Sequence, residues 1–226
     1  MSVLGLRDEH KKLFFDYYGH LPVEFLPLDV MEGPSDIPNE EWTRWEAWRE
    51  HLCKTFPRKR IPPKLRLKPG MSFQPPRFLF GWAMVSNRMG HDVVRRSRPN
   101  SDAPLPYTNY QGESVILTES LRSRFPLIMD QLGWVIIDCV WIHGKGAFTC
   151  IALADSWATG SRKPTADQIV TLRDFFGIGK GDIQALDNEP MWWMDLNSQF
   201  WQYACRRECL RDYRPWDLER RVPVRG

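Results

Sequence analysis

Cysteine is scarce in this chain, with five among 226 residues. The number is odd and no two follow the Cys-x-x-Cys spacing, which argues against a disulfide framework and against a zinc ribbon. Cys205 and Cys209 stand four apart on an expected helix, but no second Cys/His pair lies near them in sequence, so they read as buried thiols. No Asn-x-Ser/Thr glycan acceptor occurs. Charge from Arg7 onward interrupts the N-terminus before a secretory apolar stretch forms. The apolar stretch from Trp134 to Ile142 is broken by Asp138 and falls well short of the ~20 residues that cross a bilayer. A cytoplasmic or nuclear setting without a membrane partner is expected.

Catalytic motifs are equally thin. There is no Gly-x-Ser-x-Gly, no His-Glu-x-x-His and no Gly-x-x-x-x-Gly-Lys-Ser/Thr. Gly177-Ile-Gly-Lys-Gly181 has the composition of a phosphate loop but follows a helical pattern instead of opening one, so it reads as a helix stop and turn. Neither cofactor nor metal is expected.

What the chain does have is apolar and aromatic mass: 42% hydrophobic residues, 13% aromatic, and eleven tryptophans. That excludes a disordered or collagen-like chain. The length suits a single globular domain over 1–226, with a natural subdivision into a helical part, 1–56, and an α+β part, 77–226. The run Asp8 to Gly19 reads as a short amphipathic helix. In Asn39 to Phe56, Trp42, Trp45, Trp48, Leu52 and Phe56 share one helical stripe. Residues 57–76 hold six prolines and no apolar period, which predicts an irregular, polyproline-like connector. The apolar spacing of Phe78, Leu79, Trp82, Val85 and Met89 predicts a helix from Arg77 that stops at Gly90. His91 to Gly112 reads as irregular, and Thr118 to Leu132 as a helix broken near Pro126.

A β-hairpin is expected from 134–142 and 147–155. With Gly144 and Lys145 as a two-residue loop, Cys139 faces Cys150, Trp141 faces Phe148, Asp138 faces Ile151 and Trp134 faces Asp155. That register brings the two thiols within disulfide reach, although a reducing compartment favours free cysteines. Thr165 and Gln168 form a capping box ahead of a helix with Ile169, Leu172, Phe175 and Phe176 on its buried face and Gly177 at its end. A third strand is expected near 190–196, then a helix from Asn197 to about Asp212. The fold class is therefore α+β, a small and mostly antiparallel sheet covered by several helices.

The net charge of +3 conceals an uneven distribution. Residues 1–50 carry 5 basic and 11 acidic groups, whereas residues 51–100 carry 12 basic groups and a single acid. Arg58, Lys59, Arg60, Lys64, Arg66, Lys68, Arg95, Arg96 and Arg98 are the candidate anion-binding residues. Clustered cations gain by releasing counterions from a polyanion, and the planar arginine fork suits phosphate or carboxylate. The interleaved Phe73, Phe78, Phe80 and Trp82 would add stacking surfaces. The sequence thus points to an intracellular binding protein whose basic segment contacts an anionic partner, nucleic acid or an acidic protein surface. The competing possibility is that the acidic N-terminal part neutralises this block within one fold.

Two other readings remain at this level. Asp138 interrupts an apolar strand and needs a partner, an arginine or an indole N–H, because an isolated buried charge is costly. It would be the working carboxylate of a small enzyme, with His143 or His91 brought from another face. Alternatively, Trp192, Trp193 and Trp201 would anchor the interface of a homo-oligomer.

Overall fold

The computed structural model describes residues 54–62, 65–66, 73–98, 109–158, 163–196 and 202–203. The expected helices over 8–19 and 39–56 lie outside these residues, apart from the last three positions of the second. Within them the chain is mixed α+β, with four helices and a four-stranded antiparallel sheet. In chain order the elements are β1 (Phe73–Gln74), β2 (Phe78–Ala83), α1 (Asn87–Ser97), α2 (Tyr110–Arg124), α3 (Pro126–Leu132), β3 (Ile136–Ile142), β4 (Gly146–Asp155), α4 (Ala166–Phe176), β5 (Met191–Asp195) and β6 (Gln202–Tyr203). No helix among the described residues is long and apolar enough to cross a membrane.

The sheet is a closed barrel of order β2-β4-β3-β5, not an open sheet with helices over it. Closure comes from β5, which pairs with β2 on one side and β3 on the other. It divides the apolar residues into two clusters. Leu79, Ala83, Val140, Ile142, Cys150, Ala152 and Trp193, drawn from all four strands, form the inner one. Phe78, Phe80, Trp82, Ile137, Ile151, Leu153, Trp192 and Met194 face outward and are covered by apolar residues of α1 to α4. Both faces of β2 and most of β4 and β5 are therefore buried, with β3 and the hairpin end of β4 only partly so, which explains their near-continuous apolar runs.

That double burial also accounts for the largest departure from the sequence expectation. Residues 78–83 form a central strand, and the helix begins only at Asn87. An apolar run buried on both faces has no period of two, so its spacing also fits a helix. Gly90 does not stop α1 but lies inside it, where a Cβ would fall 2.5 Å from Thr149 Cγ2. The glycine lets the helix lie directly on β4. Asn87 Oδ1 fixes the contact by accepting from both the Thr149 amide and its hydroxyl, each at 2.9 Å. Gly81 has a parallel role in β2, at a register shift where a Cβ would lie 2.0 Å from the Ile151 carbonyl oxygen.

The hairpin forms, but β3 starts at Ile136 and the loop has three residues, His143 to Lys145. The Lys145 amide closes the turn on the Ile142 carbonyl, and Gly144 takes φ +69°. The longer loop shifts the register by one. Asp138 faces Cys150 and Cys139 faces Thr149, so the two cysteines project to opposite faces and both are free thiols. The Thr165 capping box, α4 and its left-handed Gly177 cap match the sequence reading, as do strand β5 and the helix break at Pro126. Residues 202–203 pair with 73–74 as short strands where a helix had been expected.

Candidate functional site

Two polar constellations stand out, one built around Arg77 and one around Lys163. Arg77 immediately precedes β2, and the other three barrel strands each direct a carboxylate toward it. Its Nε donates to Asp155 Oδ2 at 2.7 Å and its Nη2 lies 2.6 Å from the same atom. Its Nη1 is 3.1 Å from Asp195 and 3.5 Å from Asp138. Asp155 and Asp195 are buried at the C-terminal ends of β4 and β5, beside the start of antiparallel β2. Their remaining capacity is partly met by backbone: the Trp157 amide donates to Asp155 and the Cys139 amide to Asp138. Arg77 thus plugs one end of the barrel. It is the arginine partner that Asp138 needs, and in the sequence it is one of the twelve cations of residues 51–100 with nothing nearby to single it out.

The other residues proposed for catalysis do not join Asp138. His143 is exposed at the hairpin tip, an odd number of residues along from Asp138 and so off its face. The Nδ1 of His91 is bonded to the buried Glu113 on α2, and the imidazole stacks on Tyr110 with the planes 6° apart. Tyr110 in turn reaches Thr149 and Cys139, and burial raises the pKa of both Tyr110 and Cys139. A thiol held protonated in this way is a poor nucleophile at neutral pH. Among the described residues no group of three or more His, Cys, Asp or Glu is placed to hold a metal ion.

The second constellation gathers part of the basic segment. Arg58 bridges to Trp192 of β5 through two backbone hydrogen bonds of 3.1 and 2.8 Å, which tie the connector to the barrel wall. Its guanidinium is already used, donating to the Thr55 carbonyl and lying over the Phe56 ring. Phe56 stacks on Phe78 at 4.5 Å, anchoring the same segment from below. Lys59 and Arg60 follow on the surface, and Arg66 is exposed beyond them. Lys163, just ahead of α4, comes over this surface. Its Nζ is 4.0 Å from the Phe80 ring centre, 4.8 Å from that of Trp192, and 3.5 Å from the Lys59 carbonyl.

Lys163 has its pKa lowered, first by burial and then by the charges of Arg66 and Arg60. Those three cations therefore share one field. Among the described residues no carboxylate pairs with Lys59, Arg60, Arg66 or Lys163. Lys163 escaped the sequence reading because it lies in the net acidic stretch 101–200, and only the fold brings it to Arg60.

Lys64, Lys68 and Trp201 lie outside the described residues. Arg95 and Arg96 are exposed in the last turn of α1, and Arg98 follows as its half-buried C-cap. The aromatics do not stand out as stacking platforms: Phe78, Phe80 and Trp82 are all buried within the outer apolar cluster. Trp192 and Trp193 are buried as well, and the Trp193 indole donates to the Gly81 carbonyl at 2.9 Å. They pack inside the chain instead of standing out as anchors. No protein family, curated protein or solved structure matches this chain.

Proposed function

We propose that this chain is a binding protein for an anionic partner, nucleic acid or an acidic protein surface, engaged by Arg60, Arg66 and Lys163 with Lys59 beside them. The carrying observation is that these cations converge from two distant parts of the chain with no carboxylate pairing them among the described residues. Like charges held close repel, and the strain is relieved when an anion enters their field. Arg58 positions the segment and leaves recognition to its neighbours. Because the underlying rings are covered, charge and not base stacking carries the interaction, which makes it salt-sensitive and indifferent to sequence.

The test is a titration of labelled single-stranded oligonucleotide, heparin and polyglutamate, read by fluorescence anisotropy across a salt series. Changing Arg60, Arg66 and Lys163 together to Ser is expected to weaken nucleic-acid binding and to flatten the log K against log salt slope by about 2 to 3. Lys145→Ser and Lys180→Ser serve as charge controls. Equal affinity and slope in the triple variant would show that the partner binds elsewhere. The relative affinities of nucleic acid and polyglutamate separate the two partner classes.

A further inference from the structure

The carboxyl group of Glu113 is almost wholly buried, and one of its oxygens, Oε2, has no hydrogen-bond partner among the described residues. The other accepts from His91 Nδ1, and no cation besides that imidazole pairs with Glu113 among the described residues. An ionised carboxylate only accepts, so the bond puts a proton on Nδ1 and leaves Nε2 as the free end of the ring. The Tyr110 ring, parallel to the imidazole within 6°, fixes its plane. The His91 side chain is 41% exposed, and Nε2 bonds to nothing among the described residues. When the ring is protonated it gives the buried carboxylate its counter-charge and turns Nε2 into a hydrogen-bond donor.

Arg88 and Arg95 stand three residues before His91 and four after it on α1, where helix spacing brings their Cβ atoms to about 5–6 Å from that of His91. Both are exposed, and no carboxylate pairs with either among the described residues. Arg95 suits the last turn of α1. Arg88 does not suit the first, because the helix dipole is positive there, the turn holds no acid, and Ser86 gives it no side-chain cap. An anion beside Arg88 is favoured on each of these counts. We propose that this face of α1 binds a phosphate group, held by the guanidiniums of Arg88 and Arg95 and by the Nε2–H of protonated His91. The charged and titratable groups set around the ring are Arg88, Asp92 and Arg95 on its own helix and Tyr110 and Glu113 on α2, with Cys139 of β3 bonded to Tyr110. Asp92, the one acid of α1, moderates the attraction. Phosphate binding and protonation of the ring reinforce each other, since each favours the other by the same factor. The chemistry recognised is common to a small phosphomonoester and a nucleic-acid backbone, and none of its residues belongs to the Lys163 cluster.

The test is NMR on the intact chain, with the imidazole C–H signal of His91 assigned by its loss in His91→Gln and that of His143 as internal reference. The probes are sulfate, a tetrahedral dianion of constant charge, glycerol phosphate, and oligothymidylate, the last added to the chain in which Arg60, Arg66 and Lys163 are already Ser. Sulfate is expected to move the His91 signal saturably and that of His143 little, and to bind several-fold more weakly as pH rises from about 5 to about 8. Changing Arg88 and Arg95 together to Ser is expected to weaken binding several-fold, and Asp92→Asn to tighten it. His91→Gln, followed by calorimetry, should bind more weakly and lose the pH dependence. No saturable shift with sulfate or glycerol phosphate, or equal affinity in the double arginine variant, would overturn the site. Binding that ignores pH would overturn the part assigned to His91. Tighter binding of oligothymidylate than of glycerol phosphate assigns the site to a nucleic-acid backbone, and the reverse order assigns it to a small phosphomonoester. Because the Lys163 cluster is already removed in the oligothymidylate arm, this proposal and the first fail independently.

Discussion

Arg77 is the residue on which the polar interior depends. One guanidinium serves carboxylates from three strands, two of them with side chains less than a twentieth exposed. Removing it would leave those charges without their common partner in a low-dielectric setting. Arg77→Met is accordingly expected to destabilise the fold by about 3–5 kcal/mol in denaturant unfolding, and Arg77→Lys to rescue little of it because an ammonium lacks the fork. A loss below about 1 kcal/mol would mean that the carboxylates find other donors. Cys150 carries a different signature. Burial first, then the charges of Asp138 and Asp195, hold its thiol well above the ordinary 9.0. Below that value the folded and unfolded chains both keep the proton and the contribution is fully present. Above it only the unfolded chain ionises readily, so stability falls as pH rises. Cys150→Ala is expected to flatten that alkaline fall in thermal melts taken from neutral pH upward, whatever it does to stability at neutrality.

At the scale of elements, the contact of α1 with β4 is set by one missing methyl group. Gly90→Ala gains up to about 1 kcal/mol in helix propensity but pushes a Cβ into Thr149, an overpacking cost of about 1–3 kcal/mol. The single variant should be destabilised, and Thr149→Ser, which removes the offending Cγ2 and keeps the hydroxyl bonded to Asn87, should relieve it. A double-mutant cycle by urea titration measures the coupling; additivity would mean that the helix simply shifts. The same contact shows how far the sequence could be read. Local signals survived: the Thr165 capping box, the Pro126 break and the strand pair around His143 are written in neighbouring residues. Signals that depend on distant partners did not. Gly90 has the composition of a helix stop because nothing near it in sequence reveals Thr149. Phe78 to Ala83 lost its strand period because β4, β5 and the covering helices bury both faces. Arg77 and Lys163 look alike as cations, and only the fold shows that one is enclosed by carboxylates while the other faces arginines.

For the molecule as a whole, net charge says little and placement says much. Among the described residues of the basic stretch, one cation is taken inward to plug the barrel, one is tied to the backbone and an aromatic ring, three stand at the end of α1, and Lys59, Arg60 and Arg66 are exposed on the side of Lys163. The barrel that supports them is closed by contacts between its first and last strands: Arg77 meets Asp195 across 118 residues, and the Trp193 indole meets Gly81 across 112. Such a ring cannot shut gradually. While the chain is being synthesised, β2 must wait for β5, bearing an apolar edge on both faces that any other strand can pair with. Closure so distant in sequence is also slow, because the loop entropy must be overcome before the contacts form. Time spent open is therefore expected to weigh on the yield of folded protein. A chaperone that shields residues 78–83 should raise that yield in a refolding assay without moving the melting temperature, whereas an unchanged yield would place the slow step elsewhere.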